Sequence, residues 1–124
     1  MAKLLIIEDE PPIIELLRHG LERAGHEVTG AANGILGLQL LRKQSFDLIF
    51  CDLFMPEMDG IETMRRIRSE FPGTKVIAVS GGGFDGKMNL LNIAKALGAV
   101  AVLAKPFAIS AAVAAVEKAL GEGK

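Results

Sequence analysis

The stretch "LLIIEDE" at residues 4 to 10 runs four aliphatic side chains straight into three carboxylates, Glu8, Asp9 and Glu10. Like charges repel, and a carboxylate leaving a buried segment needs a partner to offset its desolvation. Another acid, Asp52, closes a second apolar run, Ser80 closes a third, and Lys105 follows a fourth. Oxygen ligands clustered without His or Cys suit Mg2+ or Mn2+, hard cations that take one or two protein carboxylates and keep several waters. Asp9 and Asp52 are the expected direct ligands, Glu8 acts through a water, and the backbone carbonyl of Phe54 completes the protein's share. Glu10 is expected to lean toward the N-terminus of the helix that follows, where negative charge is favoured. A divalent cation with an open position, a lysine and a hydroxyl also make a receptacle for a phosphoryl group. Aspartate can accept that group covalently, and Asp52 is the best-placed nucleophile. Helix caps and a surface lysine account for any one of these residues, but not for all of them at one rim.

To share a rim, these residues must sit at the ends of neighbouring strands. Five short apolar runs read as strands, at 3–8, 26–31, 47–52, 75–80 and 99–104. Four are continuously apolar, which suits a parallel sheet covered on both faces. The second, "HEVTGAA", is weaker and reads as an edge strand. Helical patterns lie between them. Ile13, Leu16, Leu17 and Leu21 share a face of the first helix, which Pro11 and Pro12 open and Gly25 stops. Ile35, Leu38 and Leu41 mark a second; Ile61, Met64, Ile67 and Phe71 a third, stopped by Pro72 and Gly73. Leu90, Ile93, Ala94 and Leu97 mark a fourth, closed by Gly98, and Ile109, Val113, Val116 and Leu120 the last. The alternation implies right-handed crossovers and a doubly wound α/β sheet. In such sheets ligands bind beyond the carboxyl ends of the strands.

A chain of 124 residues suits one domain, 1–124. With half the residues hydrophobic and 23% charged, the composition is that of a soluble globular protein. A net charge of −1 favours neither nucleic acid nor an anionic membrane. No stretch approaches the roughly 18 apolar residues of a membrane span, and the apolar run before the acids is too short for a signal peptide. The single cysteine, Cys51, fits a reducing cytoplasm and is expected to be a packed thiol. His19 and His26 are expected at solvated helix and strand ends.

The chain resembles the receiver domains of two-component response regulators, in their single-domain, chemotaxis-regulator-like form. The resemblance covers essentially the whole chain and rests on four motifs at strand ends: "IIEDE", "CDLFMPEMDG", "VSGG" and "LAKPF". It implies a flavodoxin-like (βα)5 fold, a five-stranded parallel sheet of order 2-1-3-4-5. It implies Glu8 and Asp9 as the acidic pair that binds Mg2+ with the Phe54 carbonyl, Asp52 as phosphoacceptor, and Ser80 and Lys105 as binders of phosphoryl oxygens. Met55, Pro56, Asp59 and Gly60 match the turn after the phosphoacceptor, and the Lys105–Pro106 bond is expected to be cis. A receiver is a signalling protein rather than an enzyme, although it promotes its own phosphotransfer and dephosphorylation. Its phosphodonor is a histidine kinase or a phosphotransfer protein, and phosphorylation switches partner binding. The downstream protein is expected at the face made by the fourth helix, fifth strand and last helix, where a second copy can also dock as a homodimer. Direct DNA binding and membrane contact are not expected.

Several residues depart from the family pattern. Receivers commonly carry Tyr or Phe three positions before the lysine; here that position is Val102, which places the usual aromatic readout in question. "GGGFDG" spells G-x-G-x-x-G through Gly81, Gly83 and Gly86, but no acid about 20 residues on supports a dinucleotide site. A loop that reshapes when phosphate arrives is the preferred account. Phe54 and Gly82 offer no side-chain hydrogen bond to an attacking water, so slow dephosphorylation is expected. Ala111, Ala114, Ala115 and Ala119 leave the last helix an uncharged surface that a second chain could approach. A flavin-binding carrier shares the strand order, yet the first loop offers acids and prolines where a flavin phosphate wants N–H groups, and the chain has no Tyr or Trp. A receiver-like domain that binds partners without phosphorylation is the remaining alternative; the complete acid, hydroxyl and lysine positions weigh against it.

Overall fold

The computed structural model describes residues 2–53, 60–81, 92 and 94–121. Its strands are β1 (Lys3–Ile7), β2 (Glu27–Ala31), β3 (Leu48–Asp52), β4 (Lys75–Gly81) and β5 (Ala101–Lys105). They form one sheet of order β2-β1-β3-β4-β5 in which every neighbouring pair is parallel. The doubly wound sheet, its strand order and the edge position of the weak second strand all agree with the sequence reading. Helices α1 (Pro11–Arg23), α2 (Gly34–Lys43) and α3 (Gly60–Glu70) and a C-terminal helix (Ile109–Gly121) cover it.

Successive strand side chains point to opposite faces, and each face has its own core. Leu4, Ile6, Leu48, Phe50 and Ile77 pack with Leu17 and Leu21 of α1 and with Ala112 and Val116 of the C-terminal helix. Leu5, Ile7, Ile49, Cys51 and Ala78 pack with Leu38 and Leu41 of α2 and with Met64 and Ile67 of α3. Burial on both sides is why these strands are continuously apolar. Every residue of β3 is buried, Asp52 included.

The helix faces differ from expectation in places. Leu16 and Ile35, expected inside, are 44% and 45% exposed. In α2 the buried stripe is Gly34, Gly37, Leu38 and Leu41. Gly37 lies so close to β1 that an added Cβ would come within 2.5 Å of the Ile7 side chain. With the glycines against the sheet, Ile35 falls outside the stripe. In α1 both Ile13, as expected, and Ile14, lying over Gly30, pack with Leu17 and Leu21. Ala119, expected on an outer face, is buried, and its carbonyl accepts a bond from Lys75 Nζ; Ala111 and Ala114 are exposed.

The fifth strand starts two residues later than expected and runs to Lys105. Gly98, at φ +97, closes the preceding helical turn; the Ala99 N–H then donates to the Ala94 carbonyl at 3.0 Å and the Val100 N–H to Val76 at 2.8 Å. Leu90 and Ile93 of the expected fourth helix lie outside the described residues; Ala94 is buried and Leu97 packs against the same core.

Gly60 joins fold to site. Its N–H donates to the Leu53 carbonyl at 3.2 Å, and any Cβ would collide with the Asp52 carbonyl and Leu53 Cα. Backbone atoms do not swing aside as a flexible side chain does. Gly60→Ala is therefore expected to lower stability by about 1–3 kcal/mol, the range of an overpacked core. The readout is the urea midpoint. Gly73→Ala, whose added Cβ meets nothing within 4 Å, should stay within about 0.5 kcal/mol of the parent.

Candidate functional site

Parallel register brings the strand ends level. Ile7 pairs with Cys51, so Glu8 and Asp52, one residue further on, emerge side by side. Ser80 pairs with Ala104 and Gly81 with Lys105 on the other flank of β3. Glu8, Asp52 and Ser80 are 1%, 2% and 1% exposed, Asp9 is half-buried and Glu10 is exposed.

Lys105 is the partner that the buried acids require. Its Nζ donates to Glu8 Oε2 at 3.0 Å, to Asp52 Oδ2 at 3.2 Å and to Glu10 Oε2 at 2.9 Å. Glu8 and Lys105 are 97 residues apart in sequence, so only the assembled sheet creates this pairing. Burial pushes the Glu8 carboxyl up to about 7, and the charge of Asp52 adds to the rise while Lys105 opposes it. Burial alone would lower the Lys105 ammonium, but its bonds to Glu10 and Glu8 and the charge of Asp52 hold it above the usual lysine range.

Glu10 departs from expectation. It is the N-cap of α1, yet its side chain makes no capping bond. The cause is local: Pro11 and Pro12 have no N–H to offer, and the Ile13 and Ile14 amides already donate to the Glu10 backbone carbonyl. The carboxylate goes to Lys105 instead.

The chemistry of the donor set fits a hard cation. Glu8, Asp9, Glu10 and Asp52 can each bring one carboxylate oxygen within 4.8 Å of the others. Among the described residues one ammonium, that of Lys105, faces these four acids, which leaves the cluster short of positive charge. The Ser80 hydroxyl is buried with no hydrogen-bond partner among the described residues. Such a group costs about 1–3 kcal/mol unless something binds it, and an anion's oxygen would.

The remaining site candidates are placed unevenly. Phe54, Met55, Pro56, Asp59, Gly82, Gly83 and Gly86 lie outside the described residues. The Lys105–Pro106 bond is cis. Val102 is half-buried against the cluster that holds Ala94 and Leu97. Cys51 is buried, its Sγ 3.7 Å from the Asp52 carbonyl and 3.8 Å from that of Gly60, as a packed thiol should be. His26 is not simply solvated: its Nδ1 accepts from the Ala2 N–H at 3.2 Å and its Nε2 is buried. What the sequence reading missed is the bond between Glu10 and Lys105; the two prolines after Glu10 were its available signal.

A family model described as the response regulator receiver domain matches residues 4–117. The chain is 36% identical over 104 residues to protein-glutamate methylesterase/protein-glutamine glutaminase 3 of Hahella chejuensis, covering 83% of this chain but only 30% of that protein. It is 34% identical over 118 residues to sporulation initiation phosphotransferase F of Bacillus subtilis, covering 95% of this chain and 93% of that one. Among solved structures, a response regulator receiver domain protein from Clostridium thermocellum superposes with a TM-score of 0.90 at 29% identity, covering 99% of this chain and 97% of that one.

The raised Glu8 carboxyl makes stability depend on pH. Between its ordinary 4.5 and its folded value near 7, the folded state binds more protons than the unfolded state. Stability therefore falls as pH rises through that window. In metal-free buffer, the stability of the parent relative to Glu8→Gln is expected to drop by on the order of 2 kcal/mol from pH about 4.5 to about 8. Urea unfolding at several pH values measures it.

Proposed function

As the chain belongs to the family of response regulator receiver domains, the signalling modules of two-component systems, we propose that Asp52 takes a phosphoryl group from a histidine kinase or a phosphotransfer protein. One observation carries this reading. The buried Asp52 carboxylate lies 3.2 Å from the Lys105 ammonium, at the same strand-end rim as a buried Ser80 hydroxyl without a partner among the described residues. The likeness to a phosphotransferase along 93% of that protein's length supports a relay role in particular.

An oxygen of Asp52 attacks phosphorus in line, and the bond from phosphorus to the donor's imidazole nitrogen breaks. Its electron pair returns to that nitrogen, and Asp52 becomes an acyl phosphate. Ser80 donates its O–H to one phosphoryl oxygen and Lys105 donates to another. Asp9 and Asp52, Glu8 through a water and the backbone carbonyl of Phe54 would hold Mg2+ or Mn2+, which would supply positive charge to offset repulsion between carboxylates and phosphoryl oxygens. The unit that acts is a receiver domain over residues 1–124, working in the cytoplasm without direct contact to DNA or membrane. Among the described residues no helix is long and apolar enough to cross a membrane.

The switched surface is the face of β5 and the C-terminal helix, together with the fourth helical segment, where a downstream protein or a second copy binds. Phosphorylation changes affinity there by population shift. Val102 gives this face no ring to swing inward.

Incubation with acetyl phosphate and Mg2+ is expected to add one phosphoryl group, seen by intact-mass spectrometry. Asp52→Ala should show none, and Lys105→Met should slow its formation by about a hundredfold. An adduct that persists in Asp52→Ala would sink the reading. Once formed, the adduct should outlast seconds, since neither Phe54 nor Gly82 can hold an attacking water by its side chain.

A further inference from the structure

The three hydrogens of the Lys105 ammonium meet three acceptors, Glu8, Glu10 and Asp52, at 3.0, 2.9 and 3.2 Å. The lysine is saturated. To bind a phosphoryl oxygen on Asp52 it must release a carboxylate, and its partners differ in what release costs them. The side chains of Glu8 and Asp52 are 2% exposed, and a buried carboxylate stripped of its counter-ion is expensive. The Glu10 side chain is 58% exposed, so water takes the place of the lysine at little cost.

The backbone holds Glu10 ready for this contact. Pro11 and Pro12 follow it, Glu10 stays extended at φ −102 and ψ 108, and no helix amide is left for its side chain to cap. We propose that Glu10 is a positioning residue that acts as an internal competitor: its ion pair occupies the Lys105 hydrogen that a phosphoryl oxygen on Asp52 would need, and it opens when the phosphoryl group arrives. This rests on Asp52 being phosphorylated. Glu10 thereby slows loading of the phosphoryl group and shortens its stay, because the free carboxylate competes for the lysine in both directions.

The test follows adduct formation from acetyl phosphate at saturating Mg2+. In that reaction the phosphorus–oxygen bond of the donor breaks, acetate leaves with the electron pair, and a phosphorus–oxygen bond to Asp52 forms. Glu10→Gln keeps the side-chain length but removes the charge. It is expected to load about two- to fivefold faster, the range an exposed ion pair allows, and to lose the group more slowly. Glu15→Gln, an exposed acid on α1 whose ion pair is with Arg18, controls for general charge and should load at the parental rate. Mg2+ affinity, measured alongside, should change little, which a lost metal ligand would not permit. Equal or slower loading in Glu10→Gln overturns the proposal, as does an equal gain in Glu15→Gln. If the parent itself forms no adduct on Asp52, the phosphoacceptor reading fails first and this one falls with it.

Discussion

The Lys105 ammonium, bonded to carboxylates from the two ends of β1 and β3, is the interaction on which the rest depends. Placing Glu8 and Asp52 side by side in a buried rim costs several kcal/mol per charge unless a cation compensates. The lysine must come from β5, so β1, β3 and β5 have to end at the same height across the sheet. Parallel pairing with the observed register delivers that, and no local feature of the sequence could. Burial, with the charge of Asp52 adding to it, raises the Glu8 carboxyl to about 7 even beside this ammonium. The site is thus poised to accept more positive charge and, through Ser80, a further acceptor oxygen.

Close packing fixes the geometry that the charges need. Gly60 lets α3 begin against the backbone of Asp52 and Leu53, and Gly37 lets α2 lie against Ile7, one residue before Glu8. β3 is buried from end to end, so the position of Asp52 is set by core contacts on both faces of the sheet. The exposed partner, Glu10, is held by different means: two prolines shape its backbone and deny its side chain a helix amide. A rigid buried pair and one exposed, releasable acid give the lysine a resting place that it can leave.

Much of this is legible in the sequence, for physical reasons. Strands buried on both faces must be continuously apolar, so β1, β3 and β4 stand out, and so do the polar residues that end them. Glu8, Asp52, Ser80 and Lys105 are visible as polar groups where apolar runs stop. Less legible is which helix face turns inward. Hydrophobic spacing put Leu16 and Ile35 in the core, but helix contact at Gly37 and the seat of Ile14 over Gly30 decide the rotation, and a glycine carries no hydrophobic signal. The direction of the Glu10 side chain was misread because charge near a helix N-terminus is favourable in general, and the loss of proline amides overrides that here. The start of β5 moved because a turn closed by Gly98 uses residues that read as strand.

Lys105 supplies part of the positive charge that the acidic rim requires, and a metal ion would supply more. The direct measurement is the melting temperature of the parent and of Lys105→Met at pH about 8, with and without Mg2+. Removing the ammonium should lower Tm in metal-free buffer, since buried carboxylates lose a counter-ion worth about 3–5 kcal/mol. Added Mg2+ should then raise Tm more in Lys105→Met than in the parent, because the ion no longer competes with a lysine. An equal or smaller gain in the variant would contradict the account.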